Sequence, residues 1–324
     1  MRAIVCEGTG GPEVMKISDT VDLPQCNQNE VLLKIEATAV NRADTLQRKG
    51  KYPPPRGVTD IIGLECVGYK TDPKTLQVDK SKLFMTLLSG GGYAQQYQYS
   101  SFKIQFRYAK VHYSHLMPVP KGLVLEEIAA IPEVWLTAFQ LLHKVGNGQS
   151  GETALVLAAA SGVGTSLIQL AKKNKMNVIA VASNQEKLNL CKFQNILEYT
   201  NKKGVDVILD PILASNFDYN MKSIGMDSRW VMYGTMGGLK VENANFTNLI
   251  LKRGQILVST LRNRTDEYKA QLIKDFSSAC IQQFEMKRLK PIVDRVMKLS
   301  EVQQAHEIIE KNQNAGKIIL INDL

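Results

Sequence analysis

Four small residues in the middle of the chain could bind a phosphate group. Residues 161–164 read Ser-Gly-Val-Gly and follow an apolar run, residues 153–157, typical of a buried strand. The apolar period after them is helical. First-turn N–H groups of a helix lack backbone partners and the helix dipole is positive there, which favours an anion such as pyrophosphate. Because only the end of the three-glycine dinucleotide motif is present, an ordinary loop is the alternative.

The end of the next predicted strand favours NADPH over NADH. In dinucleotide-binding folds, a carboxylate about 20 residues past the turn binds the hydroxyl of the adenine ribose. Here Ser183 follows the strand and Lys187 lies one turn into the next helix, so a lysine is available to a 2′-phosphate. Glu186 is a nearby carboxylate, which the start of the helix would turn outward. A solvated helix lysine is the alternative for Lys187.

The sequence gives weaker evidence for a metal site or a catalytic nucleophile than for a nucleotide site. His112 and His115 are three residues apart on a predicted strand or loop, with no cysteine cluster nearby, so packing or solvation is the favoured interpretation. No G-x-S-x-G nucleophile motif occurs. A dinucleotide without a metal leaves hydride transfer as the expected chemistry, in which the protein orients cofactor and acceptor.

Composition indicates a soluble globular protein of two domains. The chain has 324 residues, of which 44% are hydrophobic, and no apolar run approaches the ~18 residues of a membrane span. Five well-separated cysteines and a start without a hydrophobic signal core predict a cytoplasmic protein. The net charge of +9 comes from scattered lysines and arginines, which argues against nucleic acid as the partner.

The chain changes character near residue 120. Before it, short strands alternate with Gly/Pro turns, and residues 41–50 form a predicted helix closed by Gly50, which indicates a small β-rich domain. After it, strands alternate with helices, which predicts a doubly wound parallel sheet. The strands expected in the two regions are residues 1–6, 31–38, 61–69, 83–88, 153–157, 177–182, 205–210, 230–233 and 255–260, and a last strand, 317–321, returns to the first domain.

Residues 96–111 form two alternating runs that predict a hairpin with one aromatic face. Its aromatic residues, with Lys103 and Arg107 between them, could instead stack on single-stranded nucleic acid. A face that covers the barrel or a partner is the commoner use of such a pattern.

Several long motifs, in the same order, resemble the zinc-independent quinone oxidoreductases, which are the zeta-crystallin-like medium-chain dehydrogenase/reductases. They are NRAD at 41–44, GLE at 63–65, GGGYAQ at 90–95, MPVP at 117–120, IPEVWLTAFQLLHKVGN at 131–147, SGVGT at 161–165, RWVMYGTMGG at 229–238 and AGKI at 315–318. The segments at 132–147 and 233–238 most resemble the tumour-suppressor-inducible NADPH quinone oxidoreductase branch. Leu64 stands where the zinc enzymes have a histidine, so the resemblance implies no metal.

The resemblance implies an α/β protein with a GroES-like β-rich catalytic domain, residues 1–123 completed by 262–324, and a Rossmann domain, residues 124–261. It implies a cleft that binds NADPH, hydride transfer from the nicotinamide to a quinone without zinc, and a homodimer. An enone or alkenal reductase on the same scaffold is the second enzyme hypothesis. A catalytically weakened variant that binds nucleotide or RNA is the non-enzymatic one.

The resemblance also assigns roles to single residues. Asn41 and Tyr52 would lie beside the nicotinamide and orient the quinone carbonyl by hydrogen bonds, while protons come from solvent. Tyr52 as a packing ring and Thr137 as a helix-side hydroxyl are the alternatives. The residues expected to bind NADPH are Thr137, Ser161, Gly162, Val163, Gly164, Ser183, Lys187, Gly234, Thr235, Met236, Arg262 and Lys317.

Two departures from the family pattern concern the insertion at residues 96–107 and the segment between Cys191 and Val205. That segment is too short for a further strand and helix, which in the family carry a tyrosine on the 2′-phosphate. The missing strand would be the edge of the 3-2-1-4-5-6 order, so the sheet centre is expected to survive. Ile212, Leu213 and Ala214 also replace a Gly-Gly pair. A weakened NADPH site with reduced activity is the resulting expectation.

Overall fold

The computed structural model describes residues 1–95, 108–182 and 193–321, which form two compact units. The first unit is Met1–Leu136 with Arg262–Leu324, and the second is Thr137–Leu261. The predicted functional boundary at residue 123 stays a prediction. Most of the predicted aromatic hairpin lies outside the described residues, as do Ser183 and Lys187.

The first part of the chain is rich in strands. The strands are β1 (Arg2–Cys6), β2 (Met15–Ser18), β3 (Glu30–Val40), β4 (Glu65–Thr71), β5 (Val78–Leu87), β6 (Ala94–Gln95), β7 (Tyr108–His112) and β8 (Leu116–Pro118). The helices are α1 (Arg42–Arg48), α2 (Leu125–Ala129) and α3 (Pro132–Phe139), which continues as a π-helical turn at Gln140–Val145.

The second part alternates strands and helices. Its strands are β9 (Thr153–Val156), β10 (Asn177–Ala180), β11 (Val205–Asp210), β12 (Ile224–Met232) and β13 (Gln255–Val258). Its helices are α4 (Gly162–Lys173), α5 (Phe193–Tyr199), α6 (Phe217–Ser223) and α7 (Thr247–Leu251). The chain then ends with α8 (Asp266–Glu285), β14 (Val293–Lys298), α9 (Val302–Glu310) and β15 (Lys317–Ile321). None of the described helices is long and apolar enough to cross a membrane.

The first unit is built on two sheets. In the described residues their strand orders are β2-β1-β6 and β14-β15-β3-β4-β5-β8, and β7 also pairs with β3. The last strand pairs antiparallel with β3, Ile319 opposite Ala39, which confirms its predicted return to the first domain. Near its carboxyl end β3 is buried on both faces, so the residue that follows it, Asn41, starts inside the unit.

The second unit is built on a parallel sheet with the order β10-β9-β11-β12-β13. Leu155 of β9 pairs with Ile179 and Ile208 at the sheet centre, and α4 buries Leu167 and Leu170 on its apolar face. This confirms the predicted Rossmann fold. In the described residues β10 is the edge strand on this side of the sheet, and the predicted loss of a further strand stays a prediction.

One predicted strand was wrong in part. The strand expected at residues 61–69 begins only at Glu65, because Gly63 has a φ of +110° and approaches the backbone of Gly92. A side chain at position 63 would put its Cβ 2.6 Å from the Gly92 Cα. The helices α2 and α3 are separate, because Pro132 begins α3 and cannot lie in a helix interior.

Candidate active site

The small-residue turn follows β9 at the centre of the parallel sheet and leads into α4. Ser161 is the N-cap of α4, and its Oγ accepts a hydrogen bond from the Gly164 N–H at 3.0 Å. The helix has twelve residues and no acidic residue in its first turn. The N–H groups of Gly162 and Val163 are therefore first-turn donors facing a site without negative charge from this helix.

Gly164 lets the helix lie tightly against the turn that precedes it. A Cβ at this position would lie 2.4 Å from the Ala158 carbonyl oxygen and 2.7 Å from that of Ala159. Both atoms are backbone and cannot swing away. The turn therefore requires a glycine here for helix packing, which is the role of the last glycine in a dinucleotide motif.

The loop after β12 is tied to the end of β11. The Met236 N–H donates to the Pro211 carbonyl oxygen at 3.0 Å, and the Thr235 carbonyl accepts from the Gly238 N–H at 3.1 Å. A Cβ on Gly234 would lie 2.6 Å from the Pro211 carbonyl oxygen. The side chains of Thr235 and Met236 are exposed, so this loop is held by its backbone.

Asp210, at the end of β11, organises this region and was missed by the sequence analysis. Its Oδ1 accepts from the N–H groups of Ile212 and Leu213, and its Oδ2 accepts from Trp230 Nε1 and Asn220 Nδ2. Burial raises its pKa, and these hydrogen bonds oppose the rise. An aspartate that ends an apolar strand was the available signal.

Leu213, one of the three residues predicted to replace a Gly-Gly pair, adopts a conformation that glycine favours. Its φ is +71° and its ψ is −104°. Such a backbone costs a non-glycine residue on the order of 1–3 kcal/mol. The replacement noted in the sequence therefore has a local structural cost.

In the first unit, Asn41 lies at the centre of a buried polar cluster. Its side chain donates from Nδ2 to Glu65 Oε1 at 2.8 Å and accepts at Oδ1 from Lys317 Nζ at 2.6 Å. Lys317 also donates to Glu65 Oε1 at 2.7 Å and to the Val40 carbonyl oxygen at 2.9 Å. The structure thus brings together two predicted site residues and adds Glu65, to which the sequence analysis assigned no role.

Lys317 uses its three ammonium hydrogens on protein atoms. The side chain is 3% exposed, and its partners Val40, Asn41 and Glu65 all belong to the first unit. This geometry supports a role in which Lys317 holds the Asn41 side chain in place. Its predicted contact with the cofactor stays a prediction.

Tyr52 and Arg262 form a second pair. The guanidinium carbon of Arg262 lies 5.5 Å from the centre of the Tyr52 ring, and Nη1 donates to the Tyr52 carbonyl oxygen at 3.4 Å. Nε donates to the Ser89 carbonyl oxygen and Nη2 to Gln47 Oε1, both at 2.8 Å. Burial raises the pKa of Tyr52, so its hydroxyl is a hydrogen-bond donor at neutral pH.

A buried hydrogen-bond chain supports the backbone of Asn41, and no sequence motif indicated it. Asp44 Oδ2 accepts from the Asn41 N–H at 2.7 Å and from the Tyr93 hydroxyl at 3.1 Å. Tyr93 contacts His306 Nε2 at 3.1 Å, and His306 Nδ1 contacts Arg48 Nη1 at 3.1 Å. Because Arg48 can only donate, Nδ1 accepts and Nε2–H donates to Tyr93.

Burial shifts both titrating groups of this chain toward their neutral forms. It raises the pKa of Asp44 to about 7 and lowers the pKa of His306 to about 3. The Oδ1 atom of Asp44 is buried without a hydrogen-bond partner. A proton on this carboxyl group is therefore less costly than on an exposed aspartate.

The structure gives less information on three other predicted site residues. Thr137 is half-buried on α3, and Ser183 and Lys187 lie outside the described residues. The described residues contain no group of three or more His, Cys, Asp or Glu side chains that could hold a metal ion. The assigned roles of the single site residues stay predictions.

A GroES-like sheet unit and a Rossmann unit with a dinucleotide-type turn define the medium-chain dehydrogenase/reductase fold. A family model described as a zinc-binding dehydrogenase matches residues 177–320. Quinone oxidoreductases of Lama guanicoe and Homo sapiens are 27% and 26% identical to 99% of this chain, over 97% and 98% of their own lengths.

A solved structure gives the same result. The quinone oxidoreductase from Thermus thermophilus, also solved in complex with NADPH, has a TM-score of 0.79 to this chain at 25% identity. The match covers 99% of this chain and 100% of that chain. Along its whole length the chain is thus similar to quinone oxidoreductases of the medium-chain dehydrogenase/reductase superfamily, as its motifs predicted.

Proposed function

We propose that the chain is an NADPH-dependent, zinc-independent quinone oxidoreductase. The observation that carries the proposal is the full-length match to quinone oxidoreductases in a chain that retains both the phosphate-type turn and the Asn41 cluster. The similar proteins do not support an enone reductase on the same scaffold better than a quinone reductase.

The turn at Ser161–Gly164 fits the pyrophosphate of NADPH. It offers first-turn N–H donors, it follows the carboxyl end of a central parallel strand, and its helix adds no acidic residue in the first turn. When bound, the cofactor supplies the hydride. The proposed part of the backbone at Gly234–Met236 is to hold the nicotinamide amide, and that of Ser183 and Lys187 is to bind the adenosine end.

On the substrate side, Asn41 and Tyr52 are the proposed hydrogen-bonding residues. Asn41 is held by two charged neighbours, and Tyr52 is held under the Arg262 guanidinium. Both can donate to an oxygen atom. The reaction adds one hydride and one proton to the quinone, and solvent can supply the proton.

The test measures cofactor binding and turnover separately. Calorimetric titration of the purified chain with NADPH and NADH is expected to show tighter binding of NADPH, and NADPH absorbance should fall only when an ortho-quinone is added. Turnover of ortho-quinones is expected to exceed that of α,β-unsaturated carbonyl compounds. Absence of NADPH binding heat together with absence of quinone-dependent oxidation would contradict the proposal.

We also propose that the protein is a homodimer that assembles through the β13 edge of its parallel sheet. In the described residues β13 pairs with β12 alone, and edge strands offer unpaired backbone groups to a second copy. Three large apolar side chains near this edge are exposed: Val258 by 72%, Ile250 by 74% and Leu251 by 68%. Light scattering should give a dimer mass, and Val258→Glu should give a monomer. A monomeric parent chain would contradict the proposal.

A cytoplasmic location is proposed from the thiols. Cys6, Cys26 and Cys66 form no disulfide bond, as expected in a reducing compartment. Fractionation of cells that express the tagged chain tests this. Recovery in a secreted or organellar fraction would contradict it.

A further inference from the structure

Two buried charges determine which way the Asn41 amide points. A lysine ammonium can only donate hydrogen bonds and a carboxylate can only accept them. Lys317 lies 2.6 Å from one end of the amide and Glu65 lies 2.8 Å from the other. A reversed amide would set its oxygen against the carboxylate and its NH2 group against the ammonium. The amide oxygen therefore faces Lys317 and the nitrogen faces Glu65.

The backbone anchors both charges, so neither can turn away. Lys317 also donates to the Val40 carbonyl oxygen, and Glu65 Oε2 accepts from the Glu133 N–H at 2.9 Å. Glu65 is 0% exposed and Lys317 is 3% exposed, so water does not compete for these contacts. The orientation of Asn41 is set before any ligand arrives.

This orientation leaves Asn41 with one weakly used donor. The second Nδ2 hydrogen points to the Ala39 carbonyl oxygen at 3.4 Å, which is longer than the roughly 2.9 Å of a strong N–H···O bond. Its oxygen is already occupied by Lys317. Asn41 can thus exchange the long contact for a better acceptor on a ligand.

We propose that Lys317 and Glu65 are positioning residues that hold Asn41 as an obligatory hydrogen-bond donor to the carbonyl oxygen of the substrate. The inference rests on the proposed quinone reduction and names the group of the substrate that this residue recognises. Hydride addition to the quinone places a negative charge on a carbonyl oxygen, and one solvent proton completes the hydroquinone. A fixed N–H stabilises that charge as it develops.

Three variants separate orientation from folding. Lys317→Met removes the contact that holds the amide oxygen and leaves Glu65 as a buried unpaired charge, so it lowers the melting temperature. Glu65→Gln/Lys317→Met removes both charges and is expected to regain most of that stability. Because a glutamine side chain can donate or accept, the double variant no longer determines the orientation of Asn41. Lys34→Met is the matched control. Lys34 also pairs with a carboxylate, that of Glu36, but it lies about 20 Å from Asn41 along β3.

The first readout is the carbonyl stretching band of 9,10-phenanthrenequinone, measured by difference infrared spectroscopy on the full chain without NADPH. This quinone has no free ring position beside its carbonyls, so protein thiols do not add there. The band should move to lower wavenumber on binding to the parent chain and to Lys34→Met. The shift should be smaller in Lys317→Met, where Tyr52 is the remaining donor, and should stay smaller in the double variant although its melting temperature recovers.

The second readout is turnover with NADPH. Lys317→Met and the double variant should lose about 100-fold in kcat, with KM changed less than about threefold, as expected for a donor that acts on developing charge. Recovery of the band shift or of kcat together with stability in the double variant would overturn the inference, as would an absent band shift in the parent chain. A band shift in a parent chain that does not oxidise NADPH would instead refute the proposed function and leave the positioning role intact.

Discussion

The two units contribute to the proposed function in different ways, one through charged side chains and the other through backbone N–H groups. In the first unit, Asn41 is oriented by the buried charges of Glu65 and Lys317, which the backbone anchors in turn. In the second unit, the turn before α4 has almost no side chains and offers backbone N–H groups at a helix start. The site in the first unit depends on charged side chains, and the turn in the second unit depends on residues with little or no side chain.

This contrast determines how each region can fail. A charge cluster fails when a side chain is shortened, because its partner is left buried and unpaired. A glycine turn fails when a side chain is added, because Cβ meets backbone atoms that cannot move. Substitutions in the two regions should therefore affect different steps.

The largest effect is expected from Asn41→Ala. Loss of a donor to the developing oxyanion should lower kcat for a quinone by about 100-fold or more, while the Kd for NADPH stays within about threefold. Steady-state kinetics and calorimetry measure the two quantities. Asn177→Ala, an exposed asparagine at the start of β10, is the control and should change neither. A parallel loss of NADPH affinity in Asn41→Ala would contradict the claim that the two regions affect different steps.

Gly164→Val should have the reverse profile. Its Cβ would lie 2.4 Å from the Ala158 carbonyl oxygen, so α4 must move away from the turn, at a cost of about 1–3 kcal/mol in the free energy of unfolding. NADPH should bind more weakly by calorimetry, and kcat at saturating NADPH should change less than the Kd. Lys172→Ala, at the exposed end of the same helix, is the control. Unchanged NADPH affinity in Gly164→Val would contradict the assignment of the turn.

Asp44→Asn tests whether the side-chain cluster carries an electrostatic cost. The folded pKa of Asp44 is raised to about 7, above its unfolded value, so its contribution to stability is complete at low pH and is lost as pH rises through about 7. The stability of Asp44→Asn relative to the parent chain should therefore increase between pH 5 and pH 8, by on the order of 2 kcal/mol.

Denaturant unfolding at several pH values measures this difference. The groups that act on Asp44 are the Asn41 N–H, Tyr93, Lys317, Glu65 and Arg262, all of which the variant retains. Asp79→Asn is the control, because hydrogen bonds from Ser81 hold the pKa of the exposed Asp79 below its usual range. A constant difference between Asp44→Asn and the parent chain over this pH range would show that Asp44 stays ionised.

The smallest effect is expected from Leu213→Gly. Removal of the side chain relieves the backbone at φ +71° but loses half-buried apolar contacts, so the net stabilisation should be no more than about 1 kcal/mol. Thermal unfolding measures it. Ile212→Gly, the half-buried neighbour, should be destabilising instead. Destabilisation of equal size by both variants would show that the conformation at 213 is not strained.

The sequence predicted the alternation of strands and helices well where the pattern is local. The strand at 205–210 and the helix at 42–48 follow from a short apolar run and from a glycine after the last turn. The prediction of a strand from residue 61 was wrong, because the positive φ of Gly63 depends on a close approach to Gly92, 29 residues away. A single sequence does not show such a pair.

In the candidate site, too, local features were predicted from the sequence and features that depend on distant residues were not. The turn at Ser161–Gly164 could be predicted from the residues alone, because it depends on neighbours in the chain. Asn41 was named from a motif, but its donor orientation depends on Glu65 and Lys317, which are 24 and 276 residues away. The chain of Asp44, Tyr93 and His306 was missed for the same reason.

The sequence by itself therefore determined the fold class, the turn at Ser161–Gly164 and the resemblance to the quinone oxidoreductases. Only the tertiary structure decided that Lys317 turns inward to Asn41 and that Asp44 is buried enough to hold a proton near neutral pH. The physical reason is that helix starts and glycine turns depend on residues a few positions apart. Charge pairing and desolvation depend on which distant residues the folded sheets bring together.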